Sequence, residues 1–200
     1  MLTRIALILA AFVAVPALAQ APPAGPTGGL VSVAIDTSLG RIVVALDKAR
    51  APVTTNNFLH YVDTHRLDGE TFYRAMHSET SNLIQGGVRS DIRKLYPPIA
   101  HEPTNQTGLH NVAGAISMAN SGPGTARADF FILLSDVPAF DAGGPGGDAT
   151  GFAAFGHVTE GMDVVKKIFE APVSPTKGEG AMKGEMLDPP IKILKAARLK

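Results

Sequence analysis

Apolar and polar positions change their period several times along this chain, and each change marks an element. Val31-Ser-Val-Ala-Ile35 and Arg41-Ile-Val-Val-Ala-Leu46 are β-branched runs of the kind that suits a half-buried pleated surface. Between them, Asp36-Thr-Ser-Leu-Gly40 carries the Asp and Gly of a tight connection, so the pattern predicts an antiparallel hairpin. Pro52 then stands where a helix can begin, and Phe58, Leu59 and Val62 recur at helical spacing as far as Thr64. The Thr54 and Thr55 hydroxyls are the expected caps for its first turn, and its apolar side is expected to lie against the hairpin.

From Thr71 onward the chain reads as short strands with long irregular connections. Only Glu160 to Phe169 returns to helical spacing, with Met162, Val165, Ile168 and Phe169 on one side, and a final strand is predicted from Ile191 to Leu199. About eight short strands and two helices fit an all-β fold, a closed barrel capped by helices, because closure leaves no sheet edge exposed. The pattern does not give the order of pairing.

The first nineteen residues follow a different logic. Arg4 precedes an apolar run from Ile5 to Val15, and Ala17-Leu18-Ala19 supplies a small-x-small cleavage site before Gln20. This predicts a signal peptide at residues 1–19, with an apolar core too short to span a bilayer comfortably. Residues 20–29, rich in Pro and Gly, are expected to form a flexible linker, and the folded domain is placed at residues 30–200.

Composition narrows the functional classes. With 45% hydrophobic, 18% charged and 6% aromatic residues, the chain fits one ordinary globular domain with a sizeable core. Formal net charge is zero, and losing Arg4 with the leader makes the mature chain about one charge negative. No basic field for nucleic acid or anionic lipid is present. There is no Cys, which removes disulfides and every thiol nucleophile. The His residues at 60, 65, 77, 101, 110 and 157 show no metal-ligand spacing, and no Gly-x-Ser-x-Gly elbow occurs. Gly143-Gly-Pro-Gly-Gly-Asp148 is a single copy of a motif that binds calcium only in stacked repeats, and no Gly-Lys-Ser/Thr follows it. A plain flexible loop is therefore expected over residues 142–151.

Most of the remaining information lies between Gly114 and Leu134. Here Ala115 to Ala119 and Phe130 to Leu134 flank a turn-rich connection containing Ser121-Gly-Pro-Gly124. Taken with Phe72-Tyr-Arg74, Ile84-Gln-Gly-Gly87 and Phe155-Gly-His-Val158, this run closely resembles the cyclophilins, the peptidyl-prolyl cis/trans isomerases. That family carries Phe-His/Tyr-Arg, Gln-Gly-Gly, Ser-Met-Ala-Asn with Gly-Pro and Phe-Phe-Ile, and Phe-Gly-x-Val in the same order. The resemblance runs from about Leu30 to Lys200 and implies a closed eight-stranded antiparallel cyclophilin-like barrel.

The resemblance also implies a chemistry that needs no cofactor, no metal and no covalent intermediate. Arg74 matches the family's catalytic Arg, and Gln85 matches the glutamine that contacts substrate and orients it. Phe131 and Leu83 would form the apolar floor under the proline ring, with Ala119 and Asn120 alongside the peptide. Phe140 falls where the family closes the pocket, although Ala139 aligns equally well. Asp129 replaces a glutamine, and Phe152 replaces a pocket His or Tyr. Ten residues, Ala75 to Ile84, separate Arg74 from Gln85, a longer run than many relatives have, so that a pocket Phe falls on Asn82. An inserted polar segment, His77 to Asn82, is therefore expected to border the pocket.

The implied partners are proline-containing unfolded or flexible polypeptides met outside the cytoplasm, in a periplasm, by a monomer free of the membrane after signal cleavage. The alternative is a proline-peptide holdase in which isomerisation has been lost through Asn82 and Asp129.

Overall fold

The β-branched runs at the start of the chain pair as their pattern requires. In the computed structural model, which describes residues 29–200, β1 (Leu30–Thr37) and β2 (Gly40–Asp47) form an antiparallel hairpin with Thr37 opposite Gly40. Gly40 has φ +134°, and a Cβ there would lie 2.8 Å from Val164 Cγ2, so this turn requires glycine on two counts. The predicted leader and most of the linker lie outside the described residues.

Helix α1 (Pro52–Asp63) starts at its proline, but its cap is not local. The backbone N–H groups of Val53 and Thr54 donate to the Glu102 carboxylate at 3.0 and 2.7 Å, and the Thr54 hydroxyl donates to it at 2.6 Å. A carboxylate satisfies several free donors and also complements the positive end of the helix dipole, so it takes the place expected of the threonines. The Thr55 hydroxyl is buried without a partner among the described residues.

The remaining strands are β3 (Thr71–His77), β4 (Asn82–Gly87), β5 (Ala115–Met118), β6 (Phe130–Leu133), β7 (Ala153–Glu160), β8 (Val173–Ser174) and β9 (Met186–Arg198). They pair antiparallel in the order β1-β2-β7-β5-β6-β4-β3-β9, and β9 returns to β1. The result is a closed eight-stranded barrel, with the two-residue β8 attached to the start of β9. The last strand begins at Met186, earlier than predicted, because Met186 and Leu187 pair with Arg74 and Val173.

Period-two alternation divides the sheet into two faces. Inward-facing Ile35, Ile42, Val44, Phe72, Ile84, Ile116, Phe130, Ile132 and Phe155 fill the barrel interior. Phe58 of α1 meets Phe130 and Phe155 at ring-centroid separations of 5.2 and 5.4 Å, and α1 packs against β2, β7 and β9. Its buried face thus serves the barrel as a whole and not the first hairpin alone. Helix α3 (Met162–Phe169) packs against β2, β3 and β4. A further single-turn helix, α2 (Thr104–Thr107), was not legible in the periodicity.

The Gly-rich connection is an ordered array of turns. Asp148 Oδ1 accepts from the N–H groups of Thr150 and Gly151 and from the Thr150 hydroxyl, while Gly143, Gly144, Gly147 and Ala142 each donate within the loop or to Thr104. The backbone donation from Gly151, then that from Thr150, holds the Asp148 carboxyl below the usual range.

Candidate active site

The barrel's outer face carries a second apolar cluster, separate from the interior. Leu83, Ala115, Phe131, Leu133 and Val137 are buried there, and Met76, Ala119, Ala139, Phe140 and Phe152 pack against them. The same alternation that sends Phe130 and Ile132 inward sends Phe131 and Leu133 outward. Phe131 meets Phe140 and Phe152 edge to face, with centroids 5.8 and 5.3 Å apart, and Phe140 and Phe152 are tilted against each other at 4.8 Å, within the range favoured by aromatic quadrupoles. Phe140 rather than Ala139 therefore completes the aromatic set, and its ring and that of Phe152 are only half-buried.

Register brings the polar residues to the edge of this cluster. Arg74 lies opposite Gln85, Gln85 opposite Phe131, and Phe131 opposite Ser117, one row crossing four strands. The next row holds Met76, Leu83 and Leu133. A register shift between Phe72 and Arg74, with Tyr73 as the extra residue, lets Phe72 point inward while Arg74 joins the outer row.

The Arg74 guanidinium is held from both sides, by Gln85 of β4 and by Glu185, which immediately precedes β9. Nη1 donates to Gln85 Oε1 at 2.8 Å, Nε donates to Glu185 Oε2 at 2.7 Å, and Nη2 lies 2.6 Å from the same oxygen and 3.3 Å from Met76 Sδ. The Arg74 side chain is only 13% exposed. Gln85 is buried and occupies the orienting position that the resemblance implied. Glu185 and Met76 carried no signal in the sequence, since the first lies far along the chain and the second belongs to no distinctive motif.

Asn111 also escaped sequence reasoning, and it ties the two half-buried rings together. Its side-chain amide donates to the carbonyls of Phe140 (2.9 Å) and Phe152 (3.2 Å) and to Asp141 Oδ1 (2.9 Å), and its Oδ1 accepts from the Ser117 hydroxyl at 2.7 Å. Phe152 N donates to Phe140 O at 2.8 Å. The ordered Gly-rich loop thus returns the chain so that both rings stand on Phe131.

Beside the cluster runs an open groove of about 480 Å³ whose walls include Gln85, Ala119, Asn120, Asp129, Tyr73 and Met182. Ala119 N donates to Asp129 O, and Asn120 Nδ2 is buried without an acceptor among the described residues. The Tyr73 hydroxyl donates to Asp129 Oδ2 at 2.9 Å, and the Arg89 guanidinium lies over the Tyr73 ring at 4.4 Å. Burial pushes the Asp129 carboxyl above the usual carboxylate range, partly offset by the Tyr73 donation. The Tyr73 hydroxyl is pushed up as well, first by burial and then by the Asp129 charge.

One expectation is overturned. Asn82 pairs with His77 at the tip of the β3–β4 hairpin, on the face opposite Leu83, and the His77 ring stacks on Phe169 of α3 at 3.9 Å. The extra residues close into a turn in which Ser78 and Ser81 bond each other, so the inserted segment lengthens the hairpin beyond Met76 and Leu83, and Asn82 falls on the other face.

The chain matches known proteins in sequence and in fold. A family model for cyclophilin-type peptidyl-prolyl cis-trans isomerases matches residues 31–197. The chain is 38% identical over 165 residues to peptidyl-prolyl cis-trans isomerase A of Dickeya dadantii, covering 80% of this chain and 83% of that one. It is 36% identical over 151 residues to an isomerase of Streptomyces antibioticus, covering 74% and 88%. Among solved structures, a cyclophilin-type isomerase of Cryptosporidium parvum superposes with TM-score 0.65 at 20% identity, covering 86% of this chain and 98% of that one. The same protein in the presence of the dipeptide Ala-Pro gives 0.66.

Proposed function

This chain belongs to the cyclophilin-type peptidyl-prolyl cis-trans isomerases, and on that footing we propose that it accelerates X-Pro rotation through Arg74. The amide barrier is about 18–20 kcal/mol because rotation destroys resonance. At the midpoint the prolyl nitrogen regains a lone pair, which neither planar state possesses. A guanidinium N–H aimed at that nitrogen therefore stabilises the twisted amide selectively, as barrier lowering demands. Both isomers of an X-Pro bond lie close in energy, so the enzyme has only to lower the barrier between them.

The proline ring sits on Phe131, between Phe140, Phe152, Met76 and Leu83, and Gln85 holds Arg74 toward it. The peptide runs past Ala119 and Asn120, which line the groove and offer it backbone groups. Asp129 lines the same groove and would border the bound peptide there. The observation that carries this reading is the single cross-strand row joining Arg74, Gln85 and Phe131.

The test pairs two measurements on the wild-type protein: cis/trans exchange of a proline-limited peptide and its binding. Accelerated exchange together with binding at Phe131 is expected. Binding without acceleration would instead mean a proline-peptide holdase in which isomerisation has been lost.

The clients would be proline-containing segments of folding polypeptides outside the cytoplasm, whose uncatalysed slow step takes tens of seconds. Export rests on Arg4, the apolar run from Ile5 to Val15 and Ala17-Leu-Ala19. Expressed in a Gram-negative host, the protein is expected in the periplasmic fraction with Gln20 as its N-terminus; an intact Met1 in the cytosol would refute this. It would work as a monomer, since pairing of β9 with β1 leaves the barrel no long free edge for a second copy.

A further inference from the structure

We infer that Glu185 is a positioning residue for the isomerisation, clamping the edge of the Arg74 guanidinium that Gln85 does not reach; this rests on Arg74 being the transition-state donor. A guanidinium has five N–H groups in a rigid planar fork. Glu185 Oε2 takes two of them, from Nε and Nη2, Met76 Sδ faces another on Nη2, and Gln85 Oε1 takes one from Nη1. The one left over is on Nη1, at the corner of the fork beside Gln85, whose cross-strand neighbour is Phe131. That corner is where the prolyl nitrogen would lie above the Phe131 ring.

A single hydrogen bond from Gln85 would act as a pivot about which the planar group could swing. Contact on a second edge removes that freedom, and charge-assisted bonds are short and directional. Glu185 is suited to this because its own backbone is fixed. Ala75 N donates to Glu185 O at 2.9 Å, and Glu185 N donates to Met182 O at 3.1 Å. Arg74 pairs with Met186, the first residue of β9, and Glu185 immediately precedes it, so the carboxylate arrives from one side while Gln85 arrives from the strand on the other.

Both donors converge on one oxygen, which means that a neutral carbonyl oxygen in the same place can also hold them. This separates positioning from charge. Glu185→Ala should lower the turnover of a proline-limited peptide by roughly tenfold, in keeping with the steep cost of misplacing a reacting group, while peptide affinity and Tm stay near wild type. Glu185→Gln should recover turnover to within about threefold of wild type, because its amide oxygen restores the clamp.

The inference is overturned if Glu185→Ala turns over peptide at the wild-type rate. It is equally overturned if Glu185→Ala loses affinity and Tm in step with turnover, which marks a merely structural contact, or if Glu185→Gln exceeds wild type, which marks the carboxylate as a brake on the cation. Arg74→Ala measured alongside keeps the two readings apart. If that variant is inactive while Glu185→Ala is fully active, only the clamp fails; if Arg74→Ala is itself active, the premise fails.

Discussion

Phe130 and Phe131 are neighbours in sequence and belong to opposite faces of one sheet. The first packs on Phe58 and Phe72 inside the barrel, the second on Phe140 and Phe152 outside it. Phe130 to Leu134 are all apolar, so no period separates the two faces, and Phe131 and Leu83 could be named from sequence only through the family resemblance. Asn111 and Glu185 could not, because each acts through partners distant in sequence and neither sits in a periodic or motif-bearing segment. Asp129 was legible as a departure from the family pattern, but its consequence depends on burial. Its carboxyl is raised above its unfolded value, so between the two values the folded state binds more protons than the unfolded state and stability falls as pH rises. Asp129→Asn keeps an acceptor for the Tyr73 hydroxyl and removes the buried charge. Its Tm should exceed that of wild type at neutral pH, and the difference should vanish well below the ordinary carboxylate range; a Tm difference independent of pH would contradict the assignment.

Whole elements depend on residues that do not belong to them. Helix α1 has Pro52 at its start and no local side-chain cap, and its first N–H groups are met by Glu102 from the loop before α2. Proline signalled where the helix begins, but the identity of its cap was hidden, because nothing local distinguishes a carboxylate that folds back across the sequence. Glu102 is buried, and Glu102→Ala would leave the N–H groups of Val53 and Thr54 and the Thr54 hydroxyl unpaired. A loss of about 1–3 kcal/mol is expected for such groups, measured by urea unfolding, whereas Thr55→Val should cost far less because the Thr55 hydroxyl has no partner. Equal losses for the two variants would restore the local caps. The β3–β4 hairpin teaches the converse lesson. Its extra length was plain in the sequence, yet which face the insertion would occupy followed only from the register of His77 with Asn82.

At the scale of the whole molecule, the number and type of strands and a closed barrel were legible, and the order of strand pairing was not. β1 meets β9, elements from opposite ends of the folded chain, and no local pattern encodes such a pairing; the family resemblance supplied it. Closure matters to the site because Arg74, Gln85 and Phe131 stand on three successive strands whose spacing is fixed by a sheet without a loose edge. The interior that stabilises this sheet is built from Phe72, Ile84, Phe130 and their neighbours, and Arg74 contributes nothing to it. Removing the guanidinium should therefore separate chemistry from folding. The decisive measurement is the turnover of a proline-limited peptide by Arg74→Ala against wild type, with peptide affinity and Tm recorded on the same samples. A fall of about 10²–10³ in the catalytic constant, the range for losing one transition-state donor, with affinity and Tm near wild type, is the predicted result; turnover within threefold of wild type would contradict the account.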